Sequence, residues 1–238
     1  MKAYLTSTVF STRCEIYKKN SLLKNLKNDW KKNSVVLYIA SYPDNYEITD
    51  KYYKRHKKAF LDSTLSIKKM ILVDHRNSSE FDSLFEKADV IYLSGGHCPT
   101  EIKFFRELKL KEKLKNFKGI VMATSAGTMN SETLVYSQPE EPGEAIDPKY
   151  KRYYKGLGLT DLMILPHYQE YKNHVLDGLR VFEDITYADS AGKEFYCFTD
   201  GTYLYIDEGK ETIYGEYYLC ADGHIQKMAK TGSKTFLD

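Results

Sequence analysis

The stretch Gly119-Ile120-Val121-Met122-Ala123-Thr124-Ser125-Ala126-Gly127 decides how the rest of the chain is read. An apolar run of strand length ends abruptly on a serine, with a small residue two positions to either side. That is the sequence form of a nucleophile elbow, a tight strand-to-helix turn that lifts one hydroxyl above the end of a sheet. Ala123 and Gly127 are small because such a turn brings backbone against backbone. A helix starting at Ala126 would aim its unpaired N–H groups at the space beside the hydroxyl, where an oxyanion would form. The competing reading is a buried serine in an ordinary strand-to-helix turn, so partners must be sought elsewhere in the chain.

Working outward, short apolar runs alternate with amphipathic, lysine-rich segments. The patterning predicts strands at 2–6, 34–40, 69–73, 89–93 and 119–124. Helices are predicted at 16–30, 48–61, 79–87 and 100–116, the last from Ile102, Phe105 and Leu108 recurring at helical spacing. Strands that are apolar throughout and separated by helices imply a mostly parallel central sheet with helices on both faces, an α/β fold. Ligand sites in such sheets lie beyond the carboxyl ends of the strands. Ser125 falls there, and so does Ser94-Gly95-Gly96-His97. After the elbow the pattern changes. Residues 136–158 carry prolines, acidic residues and tyrosines without any period, the mark of a long functional loop. A strand is expected at 162–165 and a helix at 170–182. The C-terminal portion reads as β-rich, with strands at 195–198, 203–206 and 211–220 and turns at 207–209 and 221–223. We read the chain as one domain over 1–238, with a β-hairpin extension at about 208–238.

A serine hydroxyl needs a base to take its proton. Of the histidines, His56, His174 and His224 sit in polar surroundings that suggest the surface, and His75 follows a strand without an obvious role. His167 ends Leu162-Met163-Ile164-Leu165-Pro166, at the carboxyl end of a buried strand, and is the favoured base; His97, beside the two glycines, is held in reserve. A carboxylate should orient the imidazole. Asp200 in Thr199-Asp200-Gly201 is the first choice, although Asp-Gly is also an ordinary hairpin turn. Glu140 and Glu141 in the long loop are the reserves. Backbone N–H groups of Gly95, Gly96 and Ala126 could together form an oxyanion hole.

Composition narrows the classes. The chain has 238 residues, 42% hydrophobic and 29% charged, enough to build a full core. A net charge of +2 argues against a dedicated nucleic-acid binder. The lysine clusters at 51–58 and 109–118 read as solvated helix faces. No apolar stretch suits a signal peptide or a membrane span, so no membrane partner is expected. Cys14, Cys98, Cys197 and Cys220 are scattered and read as reduced thiols, which suggests a cytoplasmic protein without a zinc site.

The pieces Ile91-Tyr92-Leu93-Ser94-Gly95-Gly96-His97, Ala123-Thr124-Ser125-Ala126-Gly127, Leu165-Pro166-His167-Tyr168 and Thr199-Asp200-Gly201 resemble, in order and spacing, the dipeptidase E and cyanophycinase family of serine peptidases. The resemblance spans roughly residues 1–207 and implies a class I glutamine amidotransferase-like fold with serine in place of cysteine at the elbow. It implies Ser125 as nucleophile, His167 as base, Asp200 at a third position that commonly holds Glu, and an oxyanion hole at Gly95, Gly96 and Ala126. Two departures stand out: Ser94 and His97 flank the Gly-Gly pair where the family usually shows a glycine and an asparagine, and Asp200 is one methylene shorter. The expectation is a cytoplasmic serine hydrolase that cleaves a short peptide or related amide through an acyl-enzyme, with no metal or cofactor. A homodimer is the assembly left open. The alternative is a non-catalytic ligand-binding or sensor protein that retains the fold.

Overall fold

In a computed structural model, which describes residues 1–237, the apolar runs form parallel strands. These are β1 (Lys2–Thr6), β2 (Ser34–Ile39), β3 (Ile67–Val73), β4 (Val90–Leu93) and β5 (Ile120–Thr124). They lie in the order β1-β5-β4-β2-β3, with Thr6 level with Thr124 and Leu93 level with Ala123. Between and after them come α1 (Leu22–Asp29), α2 (Tyr46–Asp62), α3 (Phe81–Phe85), α4 (Cys98–Glu107), α5 (Leu110–Leu114) and α6 (Ala126–Asn130). Strand side chains alternate between faces. Tyr4, Val36, Tyr38, Tyr92 and Met122 pack with Leu22, Leu26 and Phe60 on one face. Leu5, Leu37, Leu93, Val121 and Ala123 pack with Phe81, Ile102 and Phe105 on the other. Both faces are therefore covered, and each fully buried side chain of this size contributes about 1.5–3 kcal/mol.

The second half begins with β6 (Leu134–Tyr136) and β7 (Tyr153–Lys155), which pair antiparallel and close the base of the long loop. Then follow β8 (Met163–Leu165), α7 (Tyr168–Tyr171), a two-residue hairpin of β9 (Val175–Leu176) and β10 (Leu179–Arg180), and α8 (Tyr187–Asp189). The C-terminal strands are β11 (Glu194–Phe198), β12 (Tyr203–Asp207), β13 (Lys210–Tyr214), β14 (Tyr217–Ala221), β15 (His224–Ala229) and β16 (Lys234–Leu237). Strands β12, β13 and β16 extend the central sheet antiparallel beyond β1, giving eight strands in all. Strands β15, β14, β11 and β8 form a second sheet of four, with β8 parallel to β11.

Several elements differ from the sequence expectation, each for a local reason. The helix expected at 16–30 is confined to α1, because Asn20 and Ser21 take positive φ of 52° and 63° and the preceding segment turns toward the Asp200 loop. The helix expected at 100–116 breaks at Lys109 (φ 52°), which lets Leu110 and Leu114 reach the same core as Ile102 and Phe105. The helix expected at 170–182 is only α7 followed by the β9–β10 hairpin. Asp177-Gly178 takes φ of 53° and 83° there, the geometry of a tight hairpin turn. The strand expected at 211–220 is divided at Gly215 (φ 123°) into β13 and β14, which lie in different sheets. Residues 208–237 are thus shared between the two sheets instead of standing off as one hairpin extension.

Candidate active site

The carboxyl ends of β1, β4 and β5 converge with the loops after β8 and β11. At the end of β5 the backbone of Ser125 takes φ 51° and ψ −120°, a strained conformation that turns its hydroxyl out of the strand. The Ser125 N–H is anchored on the carbonyls of Thr6 (3.2 Å) and Ser7 (3.1 Å) at the end of β1. Thr128 and Met129 of α6 donate their N–H groups back to the Ser125 carbonyl at 2.9 and 3.1 Å. Gly127 has to be glycine: a Cβ there would lie 2.7 Å from the Leu93 carbonyl oxygen and 2.8 Å from that of Ser94. The sequence requirement for a small residue two positions after the serine is thereby explained by the packing of α6 on the end of β4.

Ser125, His167 and Asp200, expected together from the sequence, are brought together. His167 Nε2 lies 3.1 Å from Ser125 Oγ, and His167 Nδ1 lies 2.8 Å from Asp200 Oδ1. His167 too holds a positive φ, 55°, as it leaves β8 and caps α7. Burial would raise the Asp200 carboxyl, but the hydrogen bonds and charge of His167, together with Gln169 and Ser7, hold it below the usual carboxylate range. With Asp200 ionised, its acceptor favours the tautomer carrying the proton on Nδ1, which leaves Nε2 free to accept from the serine.

Gly95 runs directly beside the nucleophile, and Gly96 packs against Ser41 and Tyr42. A Cβ on Gly95 would come within 2.9 Å of Ser125 Cβ, and one on Gly96 within 2.4 Å of Ser41 Oγ. Among the described residues the N–H groups of Gly95 and Gly96 have no hydrogen-bond partner, while the Gly95 carbonyl is tied down by Ser41 Oγ at 2.7 Å. The N–H of Ala126, first in α6, has no intrahelical acceptor either. Gly95 and Ala126 therefore border the Ser125 side chain, and Gly96 follows Gly95 against Ser41 and Tyr42.

The reserve residues lie elsewhere. His97 turns away from the serine, with Nδ1 2.7 Å from Thr100 Oγ1 and Nε2 2.8 Å from Glu144 Oε1. The other Glu144 oxygen accepts the N–H groups of Glu140 (2.8 Å) and Glu141 (3.0 Å). Glu140 and Glu141 thus belong to the loop beside the Gly95–Gly96 segment and do not reach His167. Burial, then Glu144 and Glu141, push the Glu140 carboxyl up to about 8. His97, Glu141 and Glu144 bring three potential ligand atoms within 4.8 Å of one another. The loop is braced by Asp177 of the β9–β10 turn, whose carboxylate accepts the N–H groups of Gly143 (2.9 Å) and Ala145 (3.1 Å).

Sequence reasoning missed the residues that hold Asp200. Its main-chain N–H donates to Gln169 Oε1 at 3.0 Å, its carbonyl accepts Lys19 Nζ at 3.1 Å, and the neighbouring Gly201 carbonyl accepts Asn20 Nδ2 at 2.8 Å. Ser7 Oγ donates to Asp200 Oδ1 at 2.9 Å. Only Ser7 carried a usable signal, since it directly follows a predicted strand at its carboxyl end. His56, expected at the surface, is stacked on Phe10 at 4.3 Å and sits 3.0 Å from Tyr38 Oη; burial lowers it to about 4.

Comparison with known proteins agrees with this architecture. The fold is similar to that of a peptidase from an acI-B1 Actinobacterium, with a TM-score of 0.65 at 16% identity, over 99% of this chain and 96% of that one. It is also similar to a putative peptidase E protein from Listeria monocytogenes EGD-e, with a TM-score of 0.59 at 16% identity, over 96% of this chain and 98% of that one. A search of curated proteins gives no match. Among the described residues no helix is long and apolar enough to cross a membrane. The sequence profile of peptidase family S51 matches residues 7–214, from the end of β1 through β13 and across every element that carries the Ser125, His167 and Asp200 constellation, and the chain belongs to that family.

Proposed function

We propose that this chain is a serine-type peptidase that cleaves short peptides or related amides through an acyl-enzyme on Ser125. The carrying observation is the continuous chain of contacts from Ser125 Oγ through His167 to Asp200, 3.1 and 2.8 Å, at a strained serine. In this reading the substrate carbonyl carbon meets Ser125 Oγ while its oxygen enters the space bordered by the N–H groups of Gly95, Gly96 and Ala126. As the O–C bond forms, the serine proton passes to His167 Nε2, and the imidazolium is stabilised by Asp200 through Nδ1–H. Collapse of the tetrahedral species breaks the C–N bond, and His167 delivers its proton to the departing amine. Water then repeats the sequence on the ester, with His167 as base, and releases the acid.

Two features favour a short substrate bearing an amine. The loop 137–152 is fastened beside the Gly95–Gly96 segment by Glu144 and Asp177, which narrows that side of the site. Glu141 has no cation within ion-pair distance among the described residues, so its field favours an ammonium group, while the Glu140 carboxyl, pushed up to about 8, is mostly protonated at neutral pH. Labelling with a fluorophosphonate probe tests the proposal. Stoichiometric modification of Ser125, abolished in Ser125→Ala and slowed in His167→Ala, is expected. Absence of labelling in folded protein would favour the non-catalytic binding reading instead.

A further inference from the structure

We propose that Ser7 is a positioning residue that locks all three members of the site into one frame from beneath. The inference rests on the reading of Ser125, His167 and Asp200 as the reacting constellation. Ser7 lies just past the end of β1 and is fully buried. Its carbonyl oxygen accepts the Ser125 N–H at 3.1 Å. Its hydroxyl accepts the His167 N–H at 2.9 Å and donates to Asp200 Oδ1 at 2.9 Å. Its own N–H is bonded to the Thr202 carbonyl at 3.0 Å, which fixes the far side of the Asp200 turn. One residue therefore touches elements separated by more than a hundred positions in the chain.

The chemistry of these contacts is specific to a hydroxyl. The same group must accept from a main-chain N–H and donate to a carboxylate, and an alanine can do neither. The acceptor holds His167 in its positive-φ conformation, and the donor fixes the same Asp200 oxygen that His167 Nδ1 uses, one lone pair to each. Removing it frees both the imidazole ring and the carboxylate to shift against a Ser125 hydroxyl whose own anchor is unaffected. A displacement of this kind, on the order of 1 Å, costs about a hundredfold in rate.

The test is steady-state kinetics of Ser7→Ala on the full chain, with a control of matched chemistry. Ser190 is also buried, and its hydroxyl likewise donates to a carbonyl (Tyr187, 2.8 Å) and accepts an N–H (Gly223, 2.9 Å), but it lies away from the triad. The expected result is a fall in kcat of about 10- to 100-fold for Ser7→Ala with KM unchanged, while Ser190→Ala loses similar thermal stability and keeps its kcat. A second measurement separates positioning from folding. In an Asp200→Asn background the further loss from Ser7→Ala should largely vanish, because both changes disable one unit. Full kcat in Ser7→Ala, or losses that multiply in the double variant, would overturn the proposal. Retention of activity by Ser125→Ala would instead overturn the underlying assignment of the nucleophile, which keeps the two failures apart.

Discussion

At the residue scale, the contrast between Ser125 and Glu101 shows how differently burial treats two polar groups. Ser125 Oγ faces His167, and its replacement by alanine removes one exposed-side hydroxyl without disturbing the turn, which Ala123 and Gly127 define. Ser125→Ala is expected to fold normally and to lose about a million-fold in rate, measured as kcat on a peptide substrate. Asp200→Asn should leave the geometry in place but favour the wrong imidazole tautomer, with a loss of about ten-thousand-fold. Glu101 of α4 is fully buried; Oε2 accepts Asn130 Nδ2 at 3.0 Å and Oε1 has no partner among the described residues. Burial therefore raises its carboxyl well above the ordinary value. A group whose folded pKa is raised binds its proton more tightly when folded, so stability falls as pH rises above the unfolded value of about 4.3. Glu101→Gln keeps the shape and removes that proton. Its urea midpoint should gain on wild type progressively from pH 4.5 upward, and a difference that stays constant between pH 4.5 and pH 8 would show that Glu101 does not hold its proton more tightly in the folded chain.

At the scale of elements, the long loop and the β9–β10 hairpin form a pair, fastened by Asp177. The long loop carries four acidic side chains, Glu140, Glu141, Glu144 and Asp147. The structure divides them: Glu144 is spent on His97 and on the loop's own N–H groups, and Asp147 accepts the Lys149 N–H at 2.8 Å in its own turn. Glu140 is held mostly protonated by burial and its acidic neighbours, so Glu141 is the one left to meet a substrate cation. Glu141→Gln should raise KM for substrates with a free amine, more at low salt than at high salt, while leaving kcat unchanged. A KM that moves equally for an amine-blocked substrate would assign the effect to loop shape. The hairpin, in turn, was missed because an apolar spacing of helical type spans Tyr171 to Phe182. The Asp-Gly turn overrides it, since two successive positive-φ residues cannot sit in a helix.

At the scale of the whole molecule, the central sheet and the second sheet meet around Gly215. A Cβ there would lie 2.3 Å from Asn20 Nδ2 and 2.5 Å from Thr202 Oγ1, and the residue's φ of 123° is open to glycine alone. Asn20 also holds the Gly201 carbonyl, so the crossing point and the Asp200 turn share one support. Gly215→Ala is expected to destabilise the chain by about 3 kcal/mol or more and to lower kcat in the protein that still folds. Circular dichroism melting together with kinetics below the transition checks both halves of this expectation.

The sequence by itself determined the parts whose signal is local. An uninterrupted apolar run has to be a strand buried on both faces, and small residues around Ser125 are required by backbone contacts within the same turn and with the adjacent strand end. His167 and Asp200 were legible because each follows an apolar strand, and those strands, β8 and β11, run parallel so that their carboxyl ends lie side by side. Tertiary structure alone decided what depended on distant partners. Whether 16–21 was helix depended on the Asp200 turn nearly two hundred residues on, which takes up Lys19 and Asn20. Whether Ser7 mattered depended on three groups that no spacing links to it. A buried hydroxyl or carboxylate has to find its hydrogen-bond partners, and the chain supplies them from whichever segment the fold brings alongside.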